Sequence, residues 1–147
     1  GEFVGNVRSE IEKKLSEIAE KCFDTAIFKS GQTIDLIKYA REKYSTEPEF
    51  LWEKFSDNAV LRRKDTEKWF AVLLTVSRRK LGMHSDEIVE IVDLRAQPEN
   101  IAALVDGKKI FPGWHMNKMH WFTIILDGSV SFDKICKKID ESWNLAK

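Results

Sequence analysis

Apolar residues recur along this chain with a period that switches between helical and extended, and each switch marks a boundary. Val7, Ile11, Leu15, Ile18 and Cys22 fall at steps of four, four, three and four, the spacing of one helical face, with Glu, Lys and Ser on the other side. A short break, Phe23 to Lys29, follows. Ser30 or Thr33 then starts a second helix whose stripe is Ile34, Ile37, Ala40 and Tyr44, ending before Ser45 with Pro48 just beyond. After Pro48 the pattern becomes extended. Asn58 to Arg63 and Trp69 to Val76 read as the strands of a hairpin, joined by a polar loop longer than the minimal two residues. The second strand is apolar on both faces, which predicts an interior place in a sheet. Ile88 to Leu94 reads as a third strand, and Pro98 opens a short helix to about Val105 that Asp106-Gly107 ends. The stretch Phe111 to Asp127 supplies two further strands, or one strand and an extended arm. Its clear strand, Trp121 to Leu126, is entered after a Pro112-Gly113 turn and left through Asp127-Gly128. A last helix, Ser131 to Ala146, carries Phe132, Ile135, Cys136, Ile139 and Trp143 on one side.

Leaving the first helix aside, the order is helix, three strands, helix, two strands, helix. That is an α+β pattern of two layers, with helices on one face of a mostly antiparallel sheet. Residues 1–30 are expected to form a linker helix, the tail of an upstream domain of the same chain, and residues 31–147 a single domain. A chain of 147 residues is long enough to bury a core without staples, and its 43% apolar and 33% charged residues exclude global disorder. The two cysteines form no CxxC or paired framework, the usage of reduced, buried thiols in a cytoplasmic protein. No apolar run is long enough to cross a bilayer, so no membrane partner is expected.

Lysine plus arginine balance aspartate plus glutamate at 24 each, so a nucleic-acid surface requires local segregation of charge. Such a segment exists: Arg62, Arg63, Lys64, Lys68, Arg78, Arg79 and Lys80 face only Asp65 and Glu67 between Arg62 and Lys80, with Lys118 available to extend them. These are the candidate phosphate contacts, against the plain reading that exposed loops are usually charged. His115 and His120, five apart, point to opposite faces of a strand and lie roughly 140° apart on a helix. No third ligand stands at zinc spacing, so no metal is assigned. His115 reads instead as a hydrogen-bonded structural group near the sheet edge, and Asn117 as fixing a turn through its side chain. Glu90, on a face with Ile88 and Val92, reads as an ordinary interruption, with Asp93 on the other face. There is no GxSxG, Cys–His pairing or Gly-rich phosphate loop, so no catalytic residue and no cofactor is assigned. Of the five tryptophans, Trp69 and Trp143 fit helix-on-sheet packing. Trp52, Trp114 and Trp121 are candidates for stacking on bases, or for lining a groove that holds a peptide or a small apolar ligand.

The runs YSTEPEFLWEKF (Tyr44 to Phe55), AVLRRKDTEKWF (Ala59 to Phe70), KLGMHSD (Lys80 to Asp86) and PGWHMNKMHWFTIILDG (Pro112 to Gly128) together resemble the YjbR/MmcQ-like family, over roughly residues 33–147. The last run is the most specific. Its motif positions here are Pro112, Gly113, Trp114, His115, Met116, Asn117, Lys118, His120, Trp121, Asp127 and Gly128. The resemblance implies a bacterial, two-layer fold of order α-β3-α-β2-α, akin in topology to type III secretion chaperones. It also implies a DNA-binding protein of double-wing arrangement without enzymatic activity. The rival reading is a protein-interaction or small-ligand module built on an aromatic groove around Trp114 and Trp121, and the third is an enzyme of unnamed substrate.

Overall fold

The computed structural model describes residues 13–15 and 24–147. Most of the linker helix expected over residues 1–30, and Cys22, lie outside the described residues. Residues 24–27 are helical, so the break predicted over 23–29 narrows to the residues just ahead of the next helix. From there the elements run α1 (Gly31–Tyr44), β1 (Ala59–Arg62), β2 (Trp69–Ser77), a 3₁₀ turn (Arg78–Leu81), β3 (Ile88–Arg95), α2 (Pro98–Leu104), β4 (Ile110–Pro112), β5 (Trp121–Ile125) and α3 (Phe132–Leu145). The five strands form one sheet of order β1-β2-β3-β5-β4, antiparallel at every neighbouring pair. The predicted order holds, and β2 is interior.

Ser30 caps α1, its hydroxyl accepting from the Thr33 amide and donating to the Leu126 carbonyl. The amides of Lys29 and Ser30, orphans ahead of the first helical turn, donate to the Glu90 carboxylate at 2.7 and 3.1 Å. Glu90 is therefore an anchor that ties the start of α1 to β3, and not the ordinary interruption that alternation suggested. Tyr44 and Trp143 stack at 4.8 Å between α1 and α3, as expected of Trp143. Leu36, Ile37 and Ala40 of α1 and Ile135 and Ile139 of α3 are fully buried against Leu61, Leu73, Val92, Leu94 and Ile124 of the sheet. Burying side chains of this size stabilises a fold by about 1.5–3 kcal/mol each.

The opposite face of the sheet carries a second apolar cluster that includes Val72, Leu74, Ile91, Phe111, Trp121 and Ile125. Among the described residues it is covered by the loop side chains Trp52, Met83, Trp114 and Met116 and by Leu81 of the 3₁₀ turn, and by no α-helix. Trp69 belongs here. Leu61 pairs with Ala71 but Arg62 pairs with Trp69, so Phe70 is an extra residue, a β-bulge, and Phe70 and Ala71 both enter the helix-side core. The bulge turns Trp69 out from under the helices, where strict alternation had put it. The polar groups this disturbs are satisfied by a buried hydroxyl: Ser142 Oγ donates to the Phe70 carbonyl and accepts from the Arg95 amide at 2.8 Å. At the sheet margins, Glu49 bridges Val60 through two 2.9 Å backbone bonds, and β4 is three residues long and ends in Pro112.

Candidate nucleic-acid interface

The basic residues singled out from the sequence occupy both ends of the sheet. Arg62, Arg63, Lys64 and Lys68 surround the β1–β2 turn, which closes through Arg63 N–H to Lys68 O at 2.9 Å. Arg78, Arg79 and Lys80 lie beyond the other end of β2. Nine residues of strand separate the groups, roughly 30 Å at about 3.3 Å per residue. One electropositive side made of both groups is therefore not what the fold builds. Lys118 joins the first group: its loop, 113–120, connects β4 to β5 at the end where Trp121 pairs with Arg95.

The arginines are not equally available. Arg63 is 10% exposed at its side chain and bound to Asp65 at 2.6 Å, and it donates to the Trp143 carbonyl and lies 3.6 Å from the Trp143 ring. It is a structural clamp. Arg78, 16% exposed, is held between Glu87 and Asp127 at 3.1 and 2.9 Å. Arg79 pairs with Asp86 in the open, and Arg62 pairs with Glu49 at 3.0 Å in a partly buried contact. Lys64, Lys68 and Lys80 are exposed and make no ion pair among the described residues.

Arg95 was missed by the sequence reading. It closes β3 on the helix-free face, its guanidinium 4.6 Å from the Trp121 ring and its Nε donating to the Trp69 carbonyl. No carboxylate within 4 Å balances it among the described residues, and burial lowers its pKa with no opposing charge. Across the sheet the register aligns Arg62 of β1, Trp69 of β2, Arg95 of β3 and Trp121 of β5. Trp52 leans edge-on against Trp69 at 5.9 Å. The signal in the sequence was Asp93 and Arg95, two charges at same-face spacing in an apolar strand.

The loop 113–120 is built by its own backbone. Asn117 Oδ1 accepts from the Met119 amide at 2.8 Å, which is the turn-fixing role expected of it, and the Asn117 carbonyl accepts from His120 and Trp121. A β-carbon on Gly113 would stand 2.9 Å from Trp121 Cβ, so only glycine fits there. His115 has φ +58°, is exposed, and engages Trp114 edge-on at 4.6 Å. No hydrogen bond to its ring is present among the described residues, contrary to the structural role predicted for it. Lys118 Nζ donates to the Gly113 carbonyl at 3.2 Å. No group of three or more His, Cys, Asp or Glu converges to hold a metal among the described residues. Asp127 and Gly128, at the far end of β5, belong to the other margin: Asp127 accepts from Ser129 N–H at 2.9 Å, and Gly128 N–H donates to Gln32.

Behind this loop Asp93 is fully buried on the helix-free face. Thr123 Oγ1 donates to Asp93 Oδ1 and accepts from the Trp114 amide at 2.9 Å, while Asp93 Oδ2 has no partner among the described residues. Desolvation pushes the carboxyl up to about 7, against the smaller opposing pull of the Thr123 hydroxyl, the Trp114 amide and the Lys118 charge.

The profile of the YjbR family matches residues 41–145. The chain is 35% identical to the uncharacterized protein YyaQ of Bacillus subtilis, over 77% of this chain and 96% of that one. It is 32% identical to the uncharacterized protein YbdF of Escherichia coli O157:H7, over 45% and 57%. A crystal structure of a Pseudomonas syringae protein superposes with TM-score 0.74 at 40% identity, covering 77% and 97% of the two chains. The Deinococcus radiodurans protein DR2400 shares the fold alone, with TM-score 0.57 at 22% identity, over 76% and 75%. With its profile match, its relatives and its fold in agreement, the chain belongs to the YjbR family.

Proposed function

We propose that this chain is a nucleic-acid-binding module whose phosphate contacts lie at the β1–β2 end of the sheet. The observation that supports this is the set of cations gathered there without a tight carboxylate partner: exposed Lys64 and Lys68, Lys118 of the neighbouring loop, and Arg95. Arg62 stands beside them, its partly buried contact with Glu49 a single 3.0 Å hydrogen bond. Arg63 and Arg78, clamped by short ion pairs, hold the fold together instead. In this reading the Arg78–Lys80 segment lies outside the contact surface.

The test is a titration with generic single-stranded and duplex DNA over a range of salt, on the wild type and on Lys64→Glu/Lys68→Glu. Binding at low salt should weaken on a log–log line, with a slope of about −0.7 to −0.9 per phosphate neutralised. The double variant should bind more weakly and with a shallower slope. No binding at low salt would overturn the proposal. It would leave the reading favoured by the exposed Leu51, Phe55 and Met119, in the same two loops as Trp52 and Trp114: a module that docks an apolar protein partner.

A further inference from the structure

Arg95 has a peculiarity that the fold alone does not require. Its Nε donates to the Trp69 carbonyl and its Cζ lies 4.6 Å from the centre of the Trp121 ring, two contacts that hold the guanidinium in place. Its two terminal nitrogens have no hydrogen-bond partner among the described residues. Neither is a buried orphan, so both reach solvent. An arginine held by a cation–ring contact and by Nε, with its remaining donors free, presents a fork suited to two oxygens of one phosphate or carboxylate. Every other arginine among the described residues is ion-paired.

We propose that Arg95 is an anion subsite of the molecule and that, with the neighbouring Trp69 and the Trp52 packed on it, it takes a phosphodiester of a single-stranded nucleic acid in preference to a duplex. This rests on the nucleic-acid reading above and goes beyond it in naming the form of the ligand. The distinction follows from the row across the sheet. Trp121 is 5% exposed and lies against Arg95, whereas Trp69, whose carbonyl Arg95 engages, and Trp52, packed edge-on against Trp69, are only partly buried. A duplex offers this surface its phosphates and hides its bases inside the helix. A single strand offers phosphates and unstacked bases together, and bases stack on indoles and on guanidinium planes. The bulge at Phe70 is what delivers Trp69 to this face, and bulges commonly re-aim a side chain beside a working site.

The experiment compares one labelled oligonucleotide of mixed sequence, as a single strand and as a duplex, by anisotropy at fixed low salt. It uses the full chain, Arg95→Gln, Arg95→Lys and the Lys64→Glu/Lys68→Glu variant. The wild type should bind the single strand about tenfold more tightly than the duplex. Arg95→Gln should weaken duplex binding only by the loss of one phosphate contact and single-strand binding by about tenfold more, so that the preference disappears, and Arg95→Lys, which keeps the charge and loses the fork, should restore only part of it. In the wild type, the Arg95 Nε–H resonance should shift on adding the single strand, a readout that does not depend on any variant folding. Equal affinity for the two forms, or an unmoved resonance, overturns this inference. If Arg95→Gln binds like the wild type while the lysine reversal weakens binding, the subsite falls and the nucleic-acid reading stands. If neither form binds, both fall. Competition by polyglutamate as effective as by the unlabelled single strand would show a site for carboxylates, and would likewise overturn the assignment.

Discussion

The Asp93 carboxyl lies at zero exposure with one oxygen unpartnered, and burial raises its pKa from 3.8 to about 7. A folded chain that holds this proton more tightly than the unfolded one is stabilised by it at low pH. The contribution is complete below about pH 4 and is lost as pH rises to about 7, a range worth about 4 kcal/mol at 1.36 kcal/mol per pKa unit. Asp93→Asn keeps an acceptor for Thr123 and cannot ionise. It should match the wild type in urea unfolding near pH 4, exceed it by a few kcal/mol near pH 8, and lack that part of the pH slope. Equal slopes would refute the account. At the other wall of the same loop, Gly113→Ala would push a methyl to 2.9 Å from Trp121 Cβ and backbone oxygen. Overpacking of this kind costs about 1–3 kcal/mol, so a lower Tm and displaced Trp121 signals are expected. Neither effect was legible in sequence. Asp93 looked like one of several acidic residues on a strand, and Gly113 like half of a turn pair, because what surrounds each comes from residues far along the chain.

Whole elements were easier to read, since period and punctuation are local. The second helix of the sequence begins at Ser30, and the last begins at Ser131, whose hydroxyl accepts from Lys134 N–H. What alternation could not convey was the bulge. It moved Trp69 from the helix side to the helix-free face, and with it the row that includes Arg95. The bulge depends on Ser142, which bonds the Phe70 carbonyl and the Arg95 amide at once. Removing its hydroxyl leaves two buried backbone groups unmade, each costing about 1–3 kcal/mol. Ser142→Ala should therefore destabilise the fold by about 2 kcal/mol or more in denaturant titrations, and hydrogen exchange should rise at the Arg95 amide while that of β5 changes little. Glu90→Ala should loosen the start of α1 in the same experiment, by freeing the Lys29 and Ser30 amides.

On the scale of the molecule, zero net charge conceals a division between two margins of one sheet. Counting cations along the chain merged Arg62–Lys68 with Arg78–Lys80, because only β2 separates them in sequence; the same strand holds them a strand's length apart in space. The carboxylates that engage them were equally hidden, Asp127 standing 49 residues from Arg78 and Glu49 on a segment outside β1. Arg79→Ala/Lys80→Ala, at the far margin, should leave DNA affinity within about twofold of the wild type, whereas reversal at Lys64 and Lys68 should not. An equal loss from both would place the contact surface elsewhere.

The borders of the sheet have a consequence for how the molecule meets other chains. Glu49 occupies the outer rim of β1, Thr46 Oγ1 donates to the Arg62 carbonyl at 2.8 Å, and β4 ends after three residues at a proline. Among the described residues hardly any run of unpaired peptide groups is left for an incoming strand to zip onto, the route by which exposed margins seed fibrils and capture extended peptides. A partner of this protein is therefore not expected to lengthen the sheet, and concentrated solutions should stay clear and free of thioflavin-positive material.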